Sequence, residues 1–435
     1  MLKRKIDKQL LAWKNNKDHK CLVVQGARQV GKTFSIREFG NSNYEELLEI
    51  NFKKTPSAAQ IFSGDLDVNS IIMAMRFRFP DMSIRPGSTL IFLDEIQECP
   101  EAITALKFFS EDRRYDVVAS GSLLGIDYKR PSSYPVGYTE YLRMYGLDFE
   151  EFLWAYGISD DMFSSLKDFF VARRPVPDSV NKDMMNYFRM YIATGGMPEV
   201  VEKFMDTRDF REVDRIQSEL LQGYLYDIAH YATAEEKSKA ERCYLSLSKQ
   251  LLDKENHKFQ YKEIEHGARA VKYSSSLDWL ERADIAVKCR AVTRICYDLN
   301  DYARDDFFRM YTTDLSLLIS MRDLSLKQRI VENTLSGTTK GGIYECAIAD
   351  ILYKKGYSLF FYKNESTRKE IDFLIQINGE VIPIEVKSGN NRASSLNDIT
   401  QKNSDITTAF KLIDGNVGAD NSGIVTLPLY MAIFI

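Results

Sequence analysis

Cysteine is scarce in this sequence. Its 435 residues hold six, Cys21, Cys99, Cys243, Cys289, Cys296 and Cys346, none in a C-x-x-C pair. That spacing excludes a disulfide scaffold and a thiolate zinc site, and it fits reduced thiols in a cytosol. The four histidines share no metal-ligand spacing, so metal chemistry falls to carboxylates, which suit Mg²⁺ or Mn²⁺. No apolar run approaches the ~18 residues of a membrane span. The N-terminal MLKRKIDKQLLAWKNNKDHK is charged throughout and lacks the apolar core of a signal peptide; it reads as an amphipathic helix. We therefore expect a cytoplasmic protein with no membrane partner. One-sided charge is also missing: 58 Lys and Arg stand against 62 Asp and Glu, for a net −4. Any nucleic-acid surface must then be local. There is no internal repeat or low-complexity tract. What is present is ordinary globular composition, 44 % hydrophobic and 28 % charged. At roughly 100–200 residues per domain, this length suggests about three domains.

The first third alternates apolar strands with helical stretches. Strands are expected at Cys21–Gln25, Leu47–Phe52, Thr89–Asp94, Asp116–Ala119 and Tyr138–Tyr145, which is βαβ logic and a mostly parallel sheet. The Pro-containing loop Arg173–Asp178 breaks this pattern. Helix follows from Asn181 to about His230, broken at Gly195-Gly196-Met197-Pro198. The final apolar stretch, Gly423–Ile435, reads as a buried strand.

Gly26-Ala27-Arg28-Gln29-Val30-Gly31-Lys32-Thr33 matches G-x-x-x-x-G-K-[ST]. A strand precedes it and a helix, Thr33–Phe39, follows it, as the motif requires. The glycines let backbone N–H groups converge on phosphate oxygens, and the helix N-terminus adds partial positive charge. Gly26 to Phe34 would cradle ATP, Lys32 would reach the β- and γ-phosphates, and the Thr33 hydroxyl would hold Mg²⁺. Leu90-Ile91-Phe92-Leu93-Asp94-Glu95 supplies the other half. Two carboxylates stand at the carboxyl end of a buried strand, where open α/β sheets place their ligands. Asp94 would hold the water shell of Mg²⁺, and Glu95 would polarise the attacking water. Ser120, at the end of the Asp116–Ala119 strand, would sense the γ-phosphate or simply make a Ser/Gly turn. A GTPase reading is weak, because Asn181-Lys182-Asp183-Met184 lacks the second acidic residue of a guanine-reading N-K-x-D.

Three short helical patterns, Ser246–Leu252, Lys262–His266 and Ser274–Ala283, precede a strand pair expected within Val287–Tyr297. Three helices and a hairpin make a winged helix-turn-helix outline. Between His257 and Arg294 eight basic residues face five acidic ones, so DNA binding and interdomain packing are both open. Further on, a helix at Gly342–Lys355 precedes Ile371–Lys387, where Asn378-Gly379 between apolar runs signals a two-residue hairpin. On that register 377 pairs with 380, and Asp372 faces Glu385 with Lys387 on the same face. Opposed carboxylates repel unless a cation stands between them. A second divalent ion, Mg²⁺ or Mn²⁺, with Lys387 beside it would serve. A cross-strand salt bridge is the plainer alternative.

The segments Gln25–Thr33, Leu90–Gln97, Ser120–Leu124, Leu147–Leu153 and Gly195–Val201 resemble a family of prokaryotic AAA+ ATPases in which a winged helix and a C-terminal nuclease-like domain of unassigned function follow the ATPase. Asp372 and Glu385-Val386-Lys387 resemble the PD-(D/E)xK nuclease core. The resemblance implies an α/β chain: AAA+ P-loop ATPase core at 1–160, helical lid at 161–235, winged helix-turn-helix at 236–330 and restriction-endonuclease-like α/β domain at 331–435. It implies that Glu345 joins Asp372 and Glu385 as a metal ligand, that Lys387 orients the water or stabilises the attacked phosphate, and that Pro198 packs near the nucleotide. It also implies a trans-acting arginine from a second copy or a partner. Tyr138 stands where relatives often carry Arg, which leaves Arg113, Arg114 and Arg130 as alternatives. The function implied is Mg²⁺-dependent ATP hydrolysis coupled to DNA binding or cleavage. The alternative is a nucleotide-dependent signalling switch with a non-catalytic C-terminal interaction module.

Overall fold

The computed structural model describes residues 2–122, 135–231, 236–253, 258–364, 367, 369–389, 394–403, 405–419 and 423–435. They form two compact units. The first contains residues 3–146 with the short segment 282–284, and the second contains 147–281 and 285–435.

The first unit is built on a five-stranded sheet in the order β2-β3-β4-β1-β5. Its strands are β1 (Cys21–Gly26), β2 (Glu46–Asn51), β3 (Thr89–Asp94), β4 (Asp116–Ser122) and β5 (Thr139–Arg143). Every pairing is parallel, as the alternation of strands and helices predicts. All six residues of β3 are buried, because helices cover both faces of such a sheet. Val23, Ile91, Leu93, Val117 and Ala119 meet Ile103, Leu106 and Phe109 of helix Pro100–Asp112 in one apolar core. Local signals set the helix ends. Asp67 accepts the Ser70 N–H at the start of helix Val68–Arg78, and Pro100 occupies the first turn of helix Pro100–Asp112.

The second unit opens with helix Phe149–Tyr156, whose Asp148 and Glu151 form a reciprocal capping box and whose end is Gly157 at φ 100°. Helices Asp160–Ala172, Asp178–Thr194, Pro198–Thr207 and Phe210–Tyr231 follow, so the breaks expected at 173–178 and 195–198 are both present. Gly195 and Gly196 are needed there for space. A Cβ on Gly195 would lie 2.0 Å from Ser316 Oγ, and one on Gly196 would lie 2.1 Å from the Leu147 carbonyl oxygen.

An eight-stranded mixed sheet, ordered β12-β13-β11-β10-β9-β8-β6-β7, completes this unit. Its members are β6 (Ala286–Val292), β7 (Ala303–Thr312), β8 (Phe360–Lys363), β9 (Glu370–Ile377), β10 (Glu380–Lys387), β11 (Ala409–Ile413), β12 (Gly418–Ala419) and β13 (Ile424–Pro428). The hairpin expected within Val287–Tyr297 does not form. β6 pairs instead with β7, which starts at Ala303 beyond a 3₁₀ turn at Leu299–Tyr302, and the other edge of β6 pairs in parallel with β8. The two strands expected in a winged helix therefore extend the C-terminal sheet. Of the three helical patterns before them, two are full helices, Lys237–Leu252 and Ala270–Arg282, and the third is a single 3₁₀ turn, Tyr261–Glu263. The expected final strand is half correct: β13 ends at Pro428, and Leu429–Phe434 turns into a buried 3₁₀ helix. Among the described residues, no helix is long and apolar enough to cross a membrane.

Candidate functional site

In the first unit the loop from β1 to helix Lys32–Asn43 wraps the carboxyl end of the sheet. Gly31 caps the helix from the left-handed region at φ 99°, and Gln29 lies at φ 61°. Gly26 is fixed by crowding. Met144 N–H donates to the Gln25 carbonyl at 2.7 Å, and a Cβ at Gly26 would stand 2.0 Å from the Met144 carbonyl oxygen. Lys32 Nζ donates to the carbonyls of Gly26 at 2.8 Å and Ala27 at 2.6 Å, spanning the loop it belongs to. Burial pushes its pKa down to about 8, against the opposing pull of Glu95 and Asp94. Ala27 and Val30 are buried under the loop, Arg28 is half-buried, and Phe34 is exposed on the first helical turn.

Asp94 is the hub of this end of the sheet. The Thr33 hydroxyl lies 3.1 Å from both its carboxylate oxygens, Asn51 Nδ2 donates to Oδ2 at 2.7 Å, and Ser120 Oγ donates to Oδ1. One buried carboxylate thus gathers donors from β2, β4 and the loop helix. A hydroxyl and a carboxylate converging at the root of a phosphate loop suit a hard cation with oxygen ligands. Thr33 and Asp94 are the residues that would hold Mg²⁺ if it binds there, and its chemistry would be charge neutralisation on the phosphates. Glu95 follows Asp94 with its backbone in the left-handed region, φ 52° and ψ 47°, and Gln97 Nε2 donates to its carboxylate.

Sequence reasoning missed Asn51 and Gln97. Asn51 ends β2, level in register with Asp94, and a polar residue closing an apolar strand is the signal that would have found it. Gln97 is a buried amide two residues past a candidate catalytic carboxylate. Pro198 begins helix Pro198–Thr207 in the second unit, where the preceding loop is packed by Asp314, Ser316 and Lys354. Of the candidate arginines, Arg113 and Arg114 lead into the amino end of β4, and Arg130 lies outside the described residues. Arg114 binds Asp112 and Asn69, while Arg113 stands 3.7 Å from Asp18.

In the second unit the β9–β10 hairpin has the expected register, with Ile377 opposite Glu380 and Phe373 opposite Ile384. Asn378 and Gly379 sit at φ 50° and 87°, as a two-residue turn of this kind requires. Asp372 Oδ2 accepts the Val386 N–H at 2.8 Å, and Lys387 Nζ stands 2.5 Å from Glu385 Oε1. Burial raises the pKa of both Asp372 and Glu385, and each is pushed further up by neighbouring carboxylates. Glu345, on helix Gly337–Lys354, joins the group. Four residues spread over 43 positions therefore lie near one another.

A fifth residue was not expected. Arg309 of β7, 2 % exposed, donates from Nη1 to Glu345 Oε1 at 2.7 Å, pairs through Nη2 with Glu370, and stands 4.0 Å from Asp372 Oδ1. The Tyr311 hydroxyl donates to the same Glu345 oxygen at 2.5 Å. Among the described residues no group of three or more acidic, histidine or cysteine side chains is arranged to hold a metal ion. Glu345, Asp372 and Glu385 converge, and the guanidinium of Arg309 stands against the first two of them. The basic excess of the middle segment is also partly spent. Lys288 pairs with Asp278 and Glu281, Arg290 with Glu281 and Asp305, and Lys272 with Glu265.

Residues 18–153 match the model of the AAA domain. Residues 185–328 and 340–430 match two domains of unknown function, DUF8612 and DUF4143. The first unit is thus an AAA-type P-loop α/β core. No curated protein matches the chain. Among solved structures, the Aeropyrum pernix ORC1 protein in complex with DNA is similar at 12 % identity and TM-score 0.30, over 77 % of this chain and 93 % of that one. AMPPCP-bound DnaA from Aquifex aeolicus is similar at 14 % and 0.29, over 64 % and 86 %. Cdc6p from Pyrobaculum aerophilum is similar at 12 % and 0.25, over 76 % and 93 %.

Proposed function

We propose that the first unit binds ATP with Mg²⁺ and hydrolyses it. The observation that carries this reading is the convergence on Asp94 of Thr33, Asn51 and Ser120, beside a phosphate loop and a following carboxylate. In this reading the backbone N–H groups of 26–33 hold the phosphates and Lys32 moves from the loop carbonyls to the β- and γ-oxygens. Ser120 reports the γ-phosphate to Asp94, and Glu95 takes the proton of the attacking water. Phosphate release from Mg²⁺-ATP by the purified chain tests it. Hydrolysis should require Mg²⁺ and fail in Glu95→Gln.

For the second unit, the buried guanidinium of Arg309 among the acidic residues favours the signalling-switch reading over DNA cleavage. The nuclease-like fold would then serve as a non-catalytic interaction module whose state the nucleotide sets. The neutralised charges of the middle segment point the same way. Incubation with plasmid and short DNAs, with Mg²⁺ or Mn²⁺ and with or without ATP, should leave the DNA intact. Cleavage lost in Asp372→Ala would restore the nuclease reading.

A further inference from the structure

We infer that Arg309 is the resident cation of the C-terminal carboxylate cluster, held in the place of a divalent metal, and that this centre takes no metal ion. The ATPase reading of the first unit is not needed for this. Four carboxylates, from Glu345, Glu370, Asp372 and Glu385, meet on one side of the β7–β6–β8–β9–β10 run. Like charges brought together out of water need a counter-charge. Here the chain supplies it from a distant strand. Arg309 Nη1 lies 2.7 Å from Glu345 Oε1, 3.3 Å from the Asp372 carbonyl oxygen and 4.0 Å from Asp372 Oδ1, and Nη2 pairs with Glu370. The guanidinium also lies 4.4 Å from the ring centroid of Phe361, which fixes its plane from another side. Burial alone would disfavour its charge, but the surrounding acids hold its pKa well above the usual value. A guanidinium does not deprotonate in a protein, so it cannot step aside electrically for a metal.

Several of the ligand atoms are committed. Asp372 Oδ2 accepts the Val386 N–H, and Glu345 Oε1 takes both Arg309 and the Tyr311 hydroxyl. Lys387 and Lys363 close the outer acids, at 2.5 Å from Glu385 and 2.7 Å from Glu370. Two oxygens stay open: Glu385 Oε2 is buried without a hydrogen-bond partner, and Asp372 Oδ1 has only the 4.0 Å contact with Arg309. Two oxygens beside an ammonium and a guanidinium are a poor seat for an ion that takes about six oxygen ligands. The cluster therefore acts as a polar clasp joining β7, helix Gly337–Lys354 and β9.

Mn²⁺ binding to the full chain, read by electron paramagnetic resonance without nucleotide, tests this. Bound Mn²⁺ should be unchanged, within about twofold, in Asp372→Asn and Glu385→Gln, because neither carboxylate holds an ion. Arg309→Met should add about one Mn²⁺ per chain, lost again when Glu385→Gln is combined with it. A wild-type Mn²⁺ signal that disappears in Asp372→Asn or Glu385→Gln would overturn the inference. So would a folded Arg309→Met chain that gains no ion. If Arg309→Met does not fold, the wild-type comparison with the two carboxylate variants decides the question alone.

Discussion

The side-chain amide of Gln97 donates to the carboxylate of Glu95, and Glu95 is held in the left-handed region by the turn that brings the two together. A non-glycine residue there stores backbone strain that the surroundings must offset. Gln97 is 2 % exposed, so its orientation is set by packing. The amide fixes one carboxylate oxygen, and with it the direction in which the Glu95 carboxylate faces. Gln97→Leu should lower kcat for ATP about tenfold or more while KM moves less than about threefold. Glu95→Gln should lower kcat by ~10² or more. The double variant should be no worse than Glu95→Gln alone, because the two act as one unit. Steady-state phosphate release checks all three.

Lys32 spans the loop carbonyls of Gly26 and Ala27 at a depth that disfavours its charge, and bound phosphates would restore it. Lys32→Ala should weaken ATP binding by about tenfold or more, measured with a fluorescent nucleotide, whereas Glu95→Gln should bind ATP as the wild type does. Gly26→Ala should melt earlier, since its methyl would overlap the Met144 carbonyl. A loss of about 1–3 kcal/mol is the usual scale for forced overpacking.

The parts of this architecture written locally were legible. The phosphate loop, the Asp94-Glu95 strand end and the Asn378-Gly379 turn each lie within one short stretch. The turn's geometry carried the pairing as far as Phe373 and Ile384, one step short of Asp372 and Glu385. What escaped was non-local. Nothing near residue 309 announces that it will meet residue 345, because their meeting depends on β6 pairing with β7 on one edge and β8 on the other. β7 was hidden by its own beginning: Arg304-Asp305-Asp306 is charged, and the apolar run starts only at Phe307. Asp298, at φ 59°, and the 3₁₀ turn after it delay the return strand past the point where a tight hairpin would place it. The opposed carboxylates did call for a cation, but alternation along β9 and β10 could not say that an arginine from another strand supplies it.

The candidate arginines separate by their ends of the sheet. Arg113 and Arg114 precede β4, at its amino end, whereas the phosphate loop and Asp94 lie at carboxyl ends of parallel strands. Arg114 is held by Asp112 and Asn69. Neither completes the site of its own chain. If a neighbour supplies the arginine, ATPase rate per chain should rise with protein concentration or on adding a partner. Arg113→Ala and Arg114→Ala then serve to locate it, since loss of that concentration dependence in either variant would identify the donor. Its retention in both would leave Arg130 as the residue to change next. Phosphate release across a protein dilution series, with sedimentation at the same concentrations, provides the measurement.

Inside the second unit one ammonium serves two buried carboxylates. Lys354 Nζ stands 2.7 Å from Asp314 Oδ2 and 2.9 Å from Asp350 Oδ1, with all three side chains no more than 2 % exposed. The Tyr191 hydroxyl donates to Asp350 Oδ2 at 2.5 Å, and Lys354 also donates to the Leu147 carbonyl. A single cation cannot fully compensate two acids, and burial pushes the Asp350 pKa up to about 6 despite the pull of Lys354. A folded-state pKa above the unfolded value means that the folded chain holds a proton the unfolded chain has released. Stability from this group is therefore complete below about pH 4, declines as pH rises toward 6, and is flat above that. Across that window the loss amounts to about 3 kcal/mol, at roughly 1.4 kcal/mol for each pH unit. Asp350→Asn, which stays neutral and can still accept from Tyr191, should abolish this slope and be the more stable chain near pH 7. Urea denaturation of both chains between pH 4.5 and 7.5 gives the comparison, and parallel pH profiles would show that Asp350 does not carry the proton.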